Sequence, residues 1–472
     1  MSRKFAKGLL FLATAFFVVY FPIAGNAADA EEMSAVEEML EILREMNAVD
    51  QAKYEELKRK LAAEKEEARI EDEEVVSPDN PLHATWKDGP RFATEDGNFE
   101  FNLSGRVHLH SGYISSDDDI EDAFENDDAD YFRTFFRRAR LGVAGKIYQR
   151  LGFKAEYDFA GGDVDFADVF LQAYDVPFAG TVTIGHFKEP ISLDEMTSTN
   201  NNWFVERSQV NEAFYQSREV GIRFVNLVEG RLGYALAVMS DTDSSGNGPF
   251  SDSNTRLVGR VWGLPLSSEE TGVMHLGLSY RHLFLSDNDE SANTQRYRSR
   301  PETQVTDLRF VDTGTLTTDD TDLIIGEFAW ARNRWNVVAE YFHQMVDLEE
   351  GDNPTFWGAY GLASYFLTDD SRSYNARLGG FGGVRPNHPF TEDGGWGAWE
   401  IAGRYSYLNL DDEDVDGGTQ GIFTAGLNWY PAALVRFMLN YSFVTASDRN
   451  VGGVELDEET VHVIQSRFQL DF

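Results

Sequence analysis

From Phe99 to Leu109 the chain alternates one for one. Phe99, Phe101, Leu103, Val107 and Leu109 hold odd positions, with Gly105 among them, while Glu100, Asn102, Ser104, Arg106 and His108 hold the even ones. The same period of two runs through Trp335–His343 and Val435–Phe443, where the odd positions are again aromatic or aliphatic except His343. Successive side chains of a strand point to opposite faces, so this pattern predicts sheet with one apolar and one wet face. Beyond the N-terminal apolar run no stretch is long and apolar enough for a spanning helix. Alternating segments of about ten residues separated by turns are the signature of a membrane barrel. Hydrocarbon leaves no water for a free edge, so such a sheet must close.

Sixteen such segments are predicted, at 98–113, 131–144, 150–160, 166–176, 181–188, 214–226, 231–240, 255–265, 271–285, 320–330, 334–345, 355–366, 396–408, 419–430, 433–445 and 459–472. Their connectors alternate short and long, as periplasmic turns and outer loops do. One connector breaks the rule: 367–395 falls on the short side yet spans 29 residues. Either the strand count slips there or that turn folds back into the lumen. The final alternating strand ends on Phe472, which suits recognition by barrel-assembly machinery. The fold class is therefore all-β, a 16-stranded antiparallel transmembrane β-barrel over 97–472, preceded by a short N-terminal coiled-coil helix.

That helix is read over 28–72. Val36, Leu40, Leu43, Asn47, Asp50, Tyr54, Leu57, Leu61, Glu64 and Ala68 alternate spacings of four and three, with no Pro or Gly among the residues between. This is a heptad seam, apolar at both ends and polar in its middle; a solvated single helix is the other reading. Residues 73–96, with Ser77-Pro78-Asp79-Asn80-Pro81, read as a linker. Ahead of the helix, Arg3, Lys4 and Lys7 precede an apolar run to Phe21 and then small residues. That order is a secretory signal peptide over 1–27. Together these place the barrel in a bacterial outer membrane, among lipid and lipopolysaccharide, with the helix in the periplasm.

Composition sharpens the picture. The chain has 472 residues, 80 Asp and Glu against 41 Lys and Arg, a net charge of −39, and no cysteine. Such charge repels a phosphate backbone, which argues against nucleic acid as a partner. The absence of cysteine excludes disulfides and thiolate chemistry. No spaced Ser, His and acid constellation stands out, so an enzyme is not expected. Asp117–Asp130 holds nine acids in fourteen residues. Ca²⁺ or Mg²⁺ bridging this loop to lipopolysaccharide phosphates is one reading and a plainly solvated loop the other; no resident cofactor is expected. His108 and His110 share a face but form no metal cluster.

The segment Gly185-His186-Phe187-Lys188-Glu189-Pro190-Ile191-Ser192-Leu193-Asp194-Glu195-Met196-Thr197-Ser198, followed by Phe204-Val205-Glu206-Arg207-Ser208, resembles the phosphate-selective porin family. Arg137-Arg138-Ala139-Arg140-Leu141-Gly142, Ala398–Ser406 and Gly426–Tyr430 fit the same family. The resemblance implies a homotrimeric sixteen-stranded channel whose inward-folded loops form a narrow basic constriction for phosphate, pyrophosphate or polyphosphate.

Anion preference in a pore requires lumen-facing Arg or Lys, whose donors point at the solute's oxygens. Alternation offers Arg138, Arg140, Lys154, Arg260, Arg281, Arg404 and Arg436. The third outer loop, 189–213, adds Lys188, Glu206 and Arg207 at its ends. Glu206 beside Arg207 is equally consistent with an ion pair pinning the loop to the wall. Glu156, Asp158, Glu340 and Glu400 oppose the arginines, and lysine is scarce after residue 81. Phosphate selectivity is thus an implication of the resemblance, with a general, weakly selective small-solute porin as its alternative. A structural outer-membrane anchor is a third reading.

Overall fold

The alternation resolves into a closed sheet because each strand has lipid on one side. In the computed structural model, residues 55, 58–59, 80–117, 131–248, 254–285, 293–390, 394–451 and 454–472 are described. The barrel strands are β1 Phe99–Ser116, β2 Tyr131–Ile147, β3 Leu151–Asp158, β4 Asp165–Val176, β5 Gly180–Lys188, β6 Arg218–Val228, β7 Leu232–Ser240, β8 Thr255–Ser268, β9 Gly272–Phe284, β10 Leu316–Arg332, β11 Trp335–Leu348, β12 Thr355–Phe366, β13 Ala398–Asp412, β14 Val415–Ala432, β15 Val435–Ser447 and β16 Glu459–Asp471. Each pairs antiparallel with its neighbour, and β16 returns to β1 in register from Val461↔Ser116 to Asp471↔Arg106. All sixteen predicted segments are present, shifted at their ends by a few residues.

The odd positions of β1, β11 and β15 face outward: Leu103, Tyr113, Trp335, Tyr341, Leu439 and Tyr441 are exposed to the bilayer. Near the periplasmic turns Trp399, Trp429, Phe437 and Phe468 stack across β13 to β16 at centroid spacings of 5.5, 5.3 and 5.0 Å. Amphipathic rings at this depth match an interfacial girdle. The even positions point into a lumen that is largely filled.

Three inward segments fill it. The loop between β5 and β6 carries two short helices, α1 Leu193–Met196 and α2 Gln209–Phe214. Ile191, Leu193, Trp203, Phe204, Val210 and Phe214 of that loop are buried in the main apolar cluster. The loop between β9 and β10 brings Tyr297, Val305 and Phe310 inward. The long turn after β12 is the third: a hairpin of Arg372–Asn375 with Gly380–Val384. It folds back into the barrel, where Phe381 packs edge-on against Trp203 at 4.9 Å. The strand count therefore stands, and the anomalous connector is an inturned turn.

Two parts of the sequence reading look different here. Residues 82–94 do not form a plain linker; Leu82–Trp86 and Pro90–Thr94 make a hairpin that adds to the edge of β1. Asp88-Gly89 supplies its turn with φ of 58° and 139°, and strands of five residues opening on Pro90 gave too little alternation to recognise. The signal peptide and every position of the heptad seam lie outside the described residues; Glu55, Lys58 and Arg59, between seam positions, are helical and exposed. The acidic run from Asp118 to Asp130 also lies outside them. Asp117 accepts hydrogen bonds from the Thr460 amide and hydroxyl at 2.9 and 2.6 Å.

Candidate functional site

Alternation alone would send Arg137 into lipid. A bulge in β2 prevents this: Arg138 pairs with His108, but Phe136 already pairs with Leu109. The extra residue lets the consecutive arginines 137 and 138 both face the lumen, with Arg140 one pleat further on, while Phe136 and Leu141 stay exposed to lipid. Opposite them, the loop between β5 and β6 crosses the barrel and returns Glu206 and Arg207 toward the wall from which Lys188 emerges.

Between loop and wall lies a cavity of about 400 Å³. Its basic lining residues are Arg137, Arg138, Arg140, Lys188, Arg207, Arg218 and Arg300, against Glu195, Glu206 and Glu212. A second cavity of about 210 Å³ follows toward the periplasmic end, lined by Arg106, Arg140, Glu156, Asp471 and Phe472 among others. Arg140 borders both, and Arg106 Nη1 donates to Thr199 Oγ1 at 3.0 Å beside it. The two spaces thus run in sequence down the β1–β6 side of the barrel.

Most of these cations have carboxylate partners. Lys188 Nζ donates to the Glu195 carbonyl at 2.8 Å and lies 3.2 Å from its carboxylate. Arg207 Nε sits 3.1 Å from the same carboxylate and donates through Nη2 to the Thr197 carbonyl at 2.8 Å. Arg140 donates to Asp158 at 2.7 Å and to Glu156 at 3.0 Å. Arg218 pairs with Asp168 at 2.6 Å, and Arg300 with Glu212 at 2.7 Å. Arg138 differs. It is buried on the cavity wall, and its Nε and Nη1 have no protein acceptor.

Glu206 pairs with Arg137 at 3.1 Å, not with its neighbour Arg207, and so ties the loop to the β2 wall. Burial pushes its carboxyl up, but the charges of Arg137, His110 and Arg138 outweigh that and hold it down at about 2. A carboxyl depressed on folding stabilises above its unfolded value, here 4.5, and loses that contribution as pH falls through the folded one. Conductance at fixed salt should therefore carry no noise from a loosened tether between pH 7 and about 5. It should become noisy only in the window from about 4.5 down to about 2 as the loop tether protonates, which single-channel recording across that range would reveal.

The other residues selected from alternation face the lumen but stand away from this cavity. Lys154 pairs with Asp168 at 2.7 Å and Glu156 at 3.2 Å. Arg260 is clamped by Glu327 at 2.7 Å and by the carbonyls of Leu378 and Gly379 in the inturned turn. Arg281 donates to the Phe214 carbonyl at 3.0 Å and to Gln344 at 3.2 Å, behind α2. Arg404 is paired with Glu302. Arg436 lies over the Tyr430 ring at 4.7 Å. Sequence reasoning missed Arg106, Arg137, Arg218 and Arg300. The Arg137-Arg138 pair was the available signal, since two adjacent arginines in a spanning strand require a bulge. Among the described residues no three His, Asp or Glu side chains converge as metal ligands.

The family model for phosphate-selective porin O and P matches residues 101–472. A protein of Caulobacter vibrioides, described only as uncharacterized, is 29% identical over 398 residues, covering 83% of this chain and 78% of its own. Porin O of Pseudomonas aeruginosa is 24% identical over 401 residues, 75% of this chain and 85% of its own. Among solved structures, an anion-selective porin from Comamonas acidovorans aligns with a TM-score of 0.51 at 13% identity, over 79% of this chain and all of that one. Salmonella typhi OmpF in complex with daunomycin aligns at 0.50 and 12%, over 83% of this chain and all of its own. At such identities these structures establish a shared barrel fold.

Proposed function

The chain belongs to the phosphate-selective porin O and P family, and from that premise we propose a passive channel for small solutes with a modest preference for small anions. It is an outer-membrane barrel porin, not an enzyme. The observation that supports the anion preference is the sign of the cavity: in a chain of net charge −39, its lining carries seven basic residues against three acidic ones. Acidic groups on the outer loops act through salt water, where charges are screened beyond about 8–10 Å. Groups on a narrow wall act at lower dielectric and decide which ion passes. Because carboxylates pair most of these cations, the excess is small and the preference modest.

Preference for phosphate-like anions is the finer reading. Arg138 supports it, as a guanidinium on the cavity wall with no ion pair of its own among the described residues leaves its positive charge for a solute oxyanion. Passage needs contacts weak enough to release the ion, and an arginine without a carboxylate partner set among paired ones suits that. Three-fold association, a signal peptide over 1–27 and a periplasmic helix over 28–72 belong to the same proposal.

Planar-bilayer recording tests it. The reversal potential under a potassium chloride gradient should have the sign of an anion-preferring pore, and millimolar phosphate should reduce chloride current. Arg207→Ala and Lys188→Ala should each lower the preference more than Arg467→Ala, since Arg467 instead ties β16 to the carbonyls of Thr199 and Val205. Cation preference persisting in 1 M salt, together with no reduction by phosphate, would defeat both readings of selectivity and leave the porin.

A further inference from the structure

The two cavities lie along the β1–β6 side of the barrel, the second bordered also by Asp471 and Phe472 at the end of β16. On the other side, from β10 to β14, the lumen-facing row contains Glu340, Ser364, Ser406, Gln420, Thr424 and Asn428, all buried beneath inward segments. Two carboxylates that do not line the cavity hold the two ends of the crossing loop against that wall.

The first is Glu340 on β11. Its Oε1 accepts the Leu193 amide at 2.8 Å, and its Oε2 accepts the Asp194 amide at 3.0 Å and the Ser192 hydroxyl at 3.1 Å. The Tyr360 hydroxyl on β12 donates to the same oxygen at 2.6 Å. One carboxylate therefore satisfies two backbone amides at the leading end of the crossing loop. Ser192, just before them, has φ of 65°, outside the range a non-glycine residue adopts without support.

The second is Glu302, from the loop between β9 and β10. It accepts the Gln209 amide at 3.0 Å, the Ser406 hydroxyl at 2.7 Å and the Thr424 hydroxyl at 3.1 Å, and it pairs with Arg404. Glu302 also has a positive φ, 50°. It joins the trailing end of the crossing loop to β13 and β14 and fixes its own loop in the same contact. The crossing loop is thus held against the far wall at residues 192–194 and again at 209, and the stretch between, bearing Glu195, Glu206 and Arg207, faces the basic cavity.

We infer that Glu340 and Glu302 are positioning residues that set the bore and the charge of the channel by confining solutes to the β1–β6 side. Each buried carboxylate gathers four donors, so its removal leaves backbone amides or a guanidinium without an acceptor in a dry site. The released loop segment then exchanges those contacts for water entering from the lumen. The passage so opened is walled by hydroxyls and amides, and where Glu302 is removed Arg404 is left on it without its carboxylate. The inference rests on the reading that the basic cavity is the conduit.

The test uses the full-length protein, wild type and the variants Glu340→Ala, Glu302→Ala and the double substitution, reconstituted singly in planar bilayers. Single-channel conductance should rise at least twofold in the double variant, with intermediate, noisier levels in the single ones. The reversal potential under a salt gradient should move toward zero in Glu340→Ala, whereas Glu302→Ala, which leaves Arg404 unpaired, should gain conductance without that shift. Heat-modified gel mobility identifies folded barrel in each preparation. Glu340→Gln and Glu302→Gln retain the shape and part of the acceptor capacity; they should fall between wild type and alanine, and they decide the matter where an alanine variant does not fold. Folded variants with wild-type conductance and reversal potential overturn the inference, whatever the wild-type selectivity. A wild type without anion preference defeats the proposed selectivity, while the conductance change still judges the two residues.

Discussion

Glu400→Ala is expected to cost about 3–5 kcal/mol of barrel stability, because it leaves a buried charge without its partner. Glu400 on β13 accepts from Arg372 Nη2 at 2.8 Å, the Tyr430 hydroxyl at 2.8 Å, Ser364 Oγ at 2.8 Å and Asn428 Nδ2 at 3.2 Å. Both charged side chains are fully buried. Arg372 belongs to the inturned hairpin, stacks over Trp203 at 4.3 Å and donates to the Asn201 carbonyl, so the pair joins turn, crossing loop and wall. Once Glu400 is gone, the guanidinium keeps two neutral acceptors and no counter-charge. Urea unfolding of the barrel in lipid vesicles should show the loss. The double substitution Arg372→Met with Glu400→Leu should restore most of it, since apolar replacement of both partners removes the desolvation cost as well as the attraction. A double variant as unstable as the single one would mean that the tie to loop and turn matters more than the charge.

Glu400 also marks the limit of what the sequence discloses. Alternation places it in the lumen beside Arg404, correctly, because every strand of a single-layer barrel has lipid on one face and the period of two follows directly. The same logic locates all sixteen strands from Phe99 to Asp471. It fails where the period breaks: the bulge at Arg137 moves a charged residue from one face to the other, and the short strands at 82–94 carry too little pattern to stand out. It also does not say which partner a lumen residue finds. Arg260, Arg281 and Arg404 look alike as polar positions in apolar strands, yet Glu327, the Phe214 carbonyl and Glu302 claim them. Those acceptors are more than 60 residues away along the chain; Glu327 comes from another strand, and the other two arrive through loops whose paths have no periodicity. Lys188, Glu206 and Arg207 were legible because one loop and the end of the strand leading into it contain them, and Arg138 and Arg140 because they share a strand face. Their assembly around one cavity follows from the loop's return across the barrel, a three-dimensional fact.

Gly105→Val should prevent most of the protein from reaching the closed barrel. The seam between β1 and β16 ends in a reciprocal pair of backbone bonds: the Gly105 amide donates to the Phe472 carbonyl at 2.7 Å, and the Phe472 amide to the Gly105 carbonyl at 3.0 Å. The Phe472 ring lies flat over the space where a side chain at 105 would begin, so any β-carbon there overlaps the ring. Gly105 holds an outward position in β1, which explains why an otherwise apolar row carries a residue with no side chain. The ring supplies the apolar surface that the glycine lacks, and the glycine admits the ring. Overpacking by a branched side chain costs typically 1–3 kcal/mol in a core that can adjust. Here the nearest clashing atoms all lie in the Phe472 ring, so relief swings that ring off the seam and bares the reciprocal backbone pair at a membrane edge, where a group that loses its partner costs several kcal/mol. Refolding from urea into lipid vesicles, read by heat-modified gel mobility, should give less than a tenth of the wild-type yield. Phe472→Ala should be milder, because it removes the ring but keeps the backbone pair. Adding it to Gly105→Val should recover part of the lost yield, since the two clashing groups no longer meet. A Gly105→Val barrel that refolds as well as wild type would show that the seam closes without this fit.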